Sequence, residues 1–143
     1  MDVETLKGSF VDNGDQTVTS KEHGLMWVKT DSMNDLKKWV NYQDSVDYVR
    51  ELNEKQFAGY EDWRLPTRDE MPTLFNKALS NTDQFGKTIH ISDKFTSGGG
   101  FSMVAQQVPG RMRTWVFNLR DGEFSHPEGL WTITEAARAV RKI

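Results

Sequence analysis

Gly59-Tyr60-Glu61-Asp62-Trp63-Arg64-Leu65-Pro66-Thr67 is the most distinctive stretch of this chain, and its reading decides the fold. Pro66 biases Leu65 away from helical backbone and fixes the angle at which the chain enters the next element. Thr67 is followed three residues later by Glu70, the spacing at which two side chains satisfy the free amides of a helix's first turn. Met71, Leu74 and Phe75 supply an apolar side, so the text predicts a helix opening at Thr67. Pro72 lies in that first turn and has no amide hydrogen, so this helix is either distorted or begins later than its cap. Trp63 and Leu65 then anchor the element, and Arg64 can bond loop carbonyls or a carboxylate. A functional use of Trp63-Arg64-Leu65-Pro66 stays open, but the structural use accounts for each residue.

Upstream, Asn13-Gly14 between Phe10-Val11 and Thr17-Val18-Thr19 is a hairpin signal, since both turn residues tolerate positive φ. Residues 12–15 faintly resemble a calcium loop. Their carboxylate spacing is incomplete and the closing acidic residue is missing, which favours a plain turn. Gly24-Leu25-Met26-Trp27-Val28 reads as a short apolar strand. Asn41 reads as an N-cap with Asp44 at the third helical position, and Val46, Val49 and Leu52 continue a helical stripe to about residue 55.

Downstream, Ser97-Gly98-Gly99-Gly100 reads as a flexible loop. Phe101-Ser102-Met103-Val104 ends the loop-like text. Thr114-Trp115-Val116-Phe117-Asn118-Leu119 reads as a strand that turns at Asp121-Gly122 into Glu123-Phe124. Residues 135–143 are helical on propensity alone.

Composition bounds the rest. The chain has 143 residues, 36% of them hydrophobic, with five Trp and eight Phe, which suits one folded domain spanning 1–143. The mean hydropathy of −0.67 points to a core of a few large aromatics rather than long aliphatic runs. A net charge of −3 sets up no field that gathers nucleic acid or an anionic membrane, so neither is expected as a partner. Cysteine is absent, which excludes disulfides, thiolate catalysis and cysteine metal sites. Residues 1–20 hold no apolar h-region, and no apolar run approaches a membrane span. A cytoplasmic location is the simplest expectation, with an extracellular one open if a leader has been removed.

Three stretches, in order, carry a family resemblance. They are Asn13-Gly14-Asp15-Gln16-Thr17-Val18-Thr19 with Gly24-Leu25-Met26-Trp27, then the 59–67 stretch, then Arg138-Ala139-Val140-Arg141. Together they resemble the domain at the C-terminus of the collagen-like Lcl adhesins. That family is similar in fold to C-type lectins and to formylglycine-generating sulfatase-modifying domains. The resemblance implies an α+β, C-type-lectin-like fold, with two helices packed on a twisted antiparallel sheet and a long variable loop region. It also makes 137–141 a closing strand paired against the chain's beginning, and the helical propensity there yields to that reading. Relatives often carry a cysteine in the first helix and another in the closing arginine motif; here those positions are Val49 and Ala139. Joint loss is what a reducing compartment permits, and a subfamily difference is the alternative.

No catalytic residue, metal or cofactor is expected. The sulfatase-modifying relatives work through cysteine, which is missing here. His23, His90 and His126 lack metal-ligand spacing, and Ser97 and Ser102 lack a GxSxG elbow. No phosphate-cradling GxxxxGK[ST] loop occurs, and no carboxylate pair stands out.

In C-type-lectin-like domains the variable loops usually bear the ligand site, which the resemblance assigns to residues 80–113. That segment holds Phe101, Gln106, Gln107, Arg111 and Arg113, with Trp115 just beyond it. Amide and guanidinium donors beside an aromatic ring suit a sugar chain or an anionic group. Phe101 and Trp115 also read as core strand residues, Trp115 above all. The Glu-Pro-Asn and Gln-Pro-Asp calcium signatures of sugar-binding lectins are absent, so calcium-dependent sugar recognition is not expected.

Trp27, Trp63, Arg64, Leu65, Pro66, Thr67, Arg138 and Arg141 are read as structural. The expectation is a non-catalytic binding module for a protein partner or a polyanionic or sugar ligand. An enzyme with a derived cysteine-free site in the same loops, or a self-associating structural subunit, stands as the alternative. The oligomeric state stays open.

Overall fold

Alternation along one short strand organises the molecule, which a computed structural model describes over residues 2–125 and 133–143. The strands β1 (Phe10–Asp12), β2 (Thr17–Ser20), β3 (Leu25–Val28) and β9 (Val140–Lys142) form an antiparallel sheet in the order β1-β2-β3-β9. All four residues of β3 are buried. Successive side chains point to opposite faces, so Leu25 and Trp27 join one apolar cluster while Met26 and Val28 join another. The first cluster gathers Phe10, Met71, Leu74, Ile89, Phe95 and Phe117; the second gathers Tyr48, Val49, Leu52, Trp63, Leu65 and Ala139. Val49 and Ala139 thus share one core.

The other elements close over these two faces. Three α-helices are described: α1 (Val3–Gly8), α2 (Ser32–Leu36) and α3 (Tyr42–Glu54). A two-stranded ribbon joins β4 (Asn81–Thr82) to β5 (Thr88–Ile89), and a three-stranded sheet runs β6 (Ser102–Gln107), β7 (Thr114–Asn118), β8 (Phe124–Ser125). The architecture is mixed α+β. No helix among the described residues is long and apolar enough to cross a membrane.

The Asn13-Gly14 turn is present, with Gly14 and Gln16 rather than Asn13 at positive φ. Asp12 accepts from the Gly14 amide and from Lys29, and Asp15 accepts from the Thr17 amide, so the acidic residues of 12–15 serve as turn formers. Asn41 caps α3 through the Asp44 amide, and the Asp121-Gly122 turn leads into β8.

Two expectations need correction, and a third, the closing strand against the chain's beginning, is met over a shorter span. The helix expected from Thr67 is only a 3-10 turn at Met71–Leu74. The Glu70 carboxylate reaches back to the Thr67 amide at 2.9 Å, but it is also clamped by both Arg64 Nη atoms at 2.7 and 2.9 Å. With Pro72 unable to donate, nothing propagates the turn. Where two helices were implied, three α-helices occur among the described residues, because α1 and α2 were not legible. The segment 135–143 is not helical, and its closing strand is Val140–Lys142, bonded to β3, with isolated bridges from Glu135 to Val40 and from Ala136 to Met103. Tertiary pairing overrides the local propensity there.

The 59–67 stretch staples these parts together. Trp63 donates its amide to Asn53 Oδ1 at 2.8 Å and its indole Nε1 to the Phe57 carbonyl at 3.0 Å. The Arg64 backbone bonds Val140 in both directions, and Asp62 binds Arg141, whose guanidinium lies 3.7 Å from the Tyr60 ring centre. Burial pushes the Glu70 carboxyl up, but bonds from Arg64 and the Thr67 amide outweigh it and hold it below its ordinary value of 4.5. A depressed folded value means the stabilisation is complete above the unfolded value and is lost as pH falls through the folded one. Denaturant melts across the acid range should therefore show stability falling below about pH 4.5, and Glu70→Gln should flatten that fall. An unchanged slope in Glu70→Gln would exclude the clamp as its source.

Candidate functional site

A groove of about 490 Å³ opens where the link between α2 and α3 faces the 80–100 loops, a size typical of small-ligand sites. Its position follows from a buried polar hub. Asp31 caps α2 through the Asn34 amide at 2.9 Å and accepts the Gly100 amide at 2.8 Å. Arg138, 2% exposed, donates to the carbonyls of Val28 and Lys29 and lies 3.7 Å from Asp31. Burial lowers the Arg138 pKa, and the Asp31 carboxylate opposes that shift.

This hub pins residues 98–100, which the sequence reads as merely flexible. Gly99 and Gly100 are buried. A Cβ on Gly99 would stand 2.8 Å from Asp31 Oδ2, and one on Gly100 would stand 2.6 Å from Ala136 Cβ and 3.0 Å from the Trp39 ring. The glycines are there for close approach, and that reading is corrected.

Gly98 and Met33 line the groove together with Trp39 and Phe85. The Trp39 ring meets Phe101 edge-on at 5.1 Å, and Phe85 tilts against the same ring at 6.5 Å. Arg120 lies 3.9 Å over Phe101 and binds the Asp83 carboxylate at 2.6 Å. Burial raises the Asp83 pKa, but Arg120 and the amides of Phe85 and Lys87 lower it further, so the carboxylate stays ionised. That anchor holds the 83–87 turn in place, and Phe85 projects from it with 67% of its surface exposed. Lys37 and Lys38 complete the lining. Both are exposed, and neither forms an ion pair among the described residues. The surface can therefore offer aromatic faces and positive charge together.

The residues expected to bind ligand do not all meet here. Phe101, the residue just before β6, packs against Trp39 and Phe85 of the groove. Gln106 and Gln107 lie at the other end of that strand, roughly 16 Å away at 3.3 Å per residue. Gln106 Nε2 donates to the Leu65 carbonyl, beside a second hollow of about 300 Å³. Gln107 Nε2 donates to the Arg111 carbonyl, and its amide to Tyr42 Oη. Arg111 and Arg113 are exposed at the hairpin tip beyond. Trp115 is half-buried, with Arg68 4.9 Å over its ring.

His90 Nδ1 lies 2.9 Å from the Leu79 carbonyl, and His23 lies 4.0 Å from Glu22. His126 lies outside the described residues. No group of three metal-ligating side chains occurs among the described residues.

Lys37, Lys38, Trp39, Gln84, Phe85 and Arg120 were missed. The run Lys37-Lys38-Trp39, two cations beside an aromatic, was the one local signal for them.

Set against known proteins, the chain matches the family model for the Lcl C-terminal domain over residues 16–141. No curated protein matches it.

Proposed function

The chain belongs to the Lcl C-terminal domain family, and on that premise we propose that it is a non-catalytic recognition module, C-type-lectin-like in arrangement, that binds an anionic sugar chain in the groove beside the 80–100 loops. One observation carries the reading: Trp39 and Phe85 line a groove with Lys37 and Lys38, neither lysine having a counter-ion among the described residues. Sugar CH faces stack on aromatic rings, and carboxylate or sulfate groups on the same chain take the ammonium hydrogen bonds. The loop location agrees with the site implied by the family resemblance, but the lining differs. Gln84, Phe85 and Gly98 come from the loops, while the cations come from the α2–α3 link and not from Arg111 and Arg113.

Binding constants for a sulfated or uronate oligosaccharide, against neutral dextran, test this. The acidic chain should bind saturably and weaken with added salt, and dextran should not compete. Phe85→Ala removes an exposed ring at little structural risk and should weaken binding by about tenfold, ~1.4 kcal/mol. Lys37→Gln with Lys38→Gln should flatten the salt dependence, since rim charges act mainly through long-range attraction. Equal binding of dextran, or affinity unmoved by all three changes, would overturn the reading.

A further inference from the structure

The net charge of −3 hides a local asymmetry. Residues 94–120 contain no Asp or Glu, and their cations are Lys94, Arg111, Arg113 and Arg120. Lys94 pairs with Asp93, and Arg120 with Asp83. Arg111 and Arg113 form no ion pair among the described residues, and both lie exposed on the hairpin tip between β6 and β7.

That tip is an ordered turn. The Val108 amide donates to the Arg113 carbonyl at 2.9 Å, the Arg111 amide to the Val108 carbonyl at 3.0 Å, and Gln107 Nε2 to the Arg111 carbonyl at 2.7 Å. Three residues on each limb follow the Gln107–Thr114 pair, so the tip reaches at most about 10 Å past the sheet, at ~3.3 Å per residue. Pro109 and Met112 stand exposed on it, Met112 with 65% of its surface in solvent. Met26, Met33, Met71 and Met103 are all buried, so the core takes the other described methionines and leaves this one outside.

A lone exposed apolar side chain needs no explanation, but here an apolar apex stands between two guanidinium groups without partners. A soluble anion would meet only the charges, which salt screens, and would leave Pro109 and Met112 in water. A stable protein interface takes about 800 Å² from each partner, more than six projecting residues supply. A bilayer with anionic headgroups meets both parts. Its phosphates accept the forked donors of arginine, and the boundary between headgroups and acyl chains lies ~5–10 Å deep, within reach of the tip.

We propose that the 108–113 hairpin is a membrane-contact site that seats the domain on an anionic lipid surface. Pro109 and Met112 enter the headgroup layer, and Arg111 and Arg113 pair with lipid phosphates. The sugar groove lies toward the other end of β6, away from this surface.

Co-sedimentation with vesicles of three parts phosphatidylcholine to one of phosphatidylserine, against phosphatidylcholine alone, tests this. The mixed vesicles should carry the protein down, and the neutral ones should leave it in solution. Arg111→Gln and Arg113→Gln should each weaken binding about fivefold, and Met112→Gln about tenfold. All three positions are exposed, so unfolding midpoints should not move. Lys37→Gln with Lys38→Gln should bind the mixed vesicles as the parent does, which separates this site from the groove. No binding, equal binding to both vesicles, loss in the lysine variant, or binding that Met112→Gln leaves unmoved overturns the inference. So does poly-glutamate binding as tightly as the mixed vesicles and losing as much to Met112→Gln, a result that assigns the tip to an acidic protein partner.

Discussion

Arg138→Met is expected to cost about 3–5 kcal/mol of folding stability, the range for breaking a buried ion pair by removing one partner. Arg138 is 2% exposed and holds the Val28 carbonyl at 3.1 Å and the Lys29 carbonyl at 2.8 Å. Methionine fills much of the volume but leaves both carbonyls and the Asp31 carboxylate without their cation. Asp31 keeps the amides of Asn34 and Gly100, which limits the loss. Asp31→Asn in the Arg138→Met background should recover part of it, because the uncompensated charge is then gone and residues in one network do not add. Denaturant melts measure the loss, and hydrogen exchange should rise first in residues 31–36 and 97–100. A loss under about 1 kcal/mol would be that of an ordinary substitution and would remove Arg138 as the hub that sets the groove.

Trp63→Ala is expected to lose a similar amount, about 3–5 kcal/mol, through a different cause. The indole is 3% exposed and meets Phe57 and Tyr60 edge-on at 6.0 and 6.2 Å. Its removal leaves a cavity between α3 and the closing strand and orphans the Phe57 carbonyl that Nε1 now satisfies at 3.0 Å. Trp63→Phe separates the two terms: it keeps most of the packing and loses the bond, for about 1–3 kcal/mol. Unfolding curves with an unchanged denaturant slope and a shifted midpoint would place both effects in the folded state. A negligible loss in Trp63→Ala would contradict the role of this stretch as the staple of the second core.

The legible parts of the fold were those decided by neighbours in sequence. The Asn13-Gly14 turn, the Asn41 cap of α3 and the Asp121-Gly122 turn each depend on a few adjacent side chains, and each is present. The illegible parts were decided from a distance. Glu70 looks like a capping residue in the text, but Arg64 shares its carboxylate. The segment from Glu135 to Ala139 has helical propensity, and pairing with Val40 and Met103 leads instead into a strand on β3. The helix α2 hides its signal in an Asp31–Asn34 box, a pair outside the common Ser/Thr and Glu/Gln pattern.

The site divides along the same line. Phe101 was legible as an aromatic in the variable region. Trp39 comes from the link before α3, and only the folded chain brings it to Phe85 and Gly98 across more than forty residues of sequence. Arg111 and Arg113 attract attention as charges, yet the hairpin carries them to the far end of β6 from the groove.

Amide chemical-shift mapping during titration with a sulfated or uronate hexasaccharide tests the central claim most directly. The account expects saturable shifts confined to Lys37, Lys38, the Trp39 indole N–H, Gln84, Phe85 and Gly98, with the 108–113 hairpin unmoved. Shifts centred on Arg111 and Arg113, or none at saturating ligand, would contradict it.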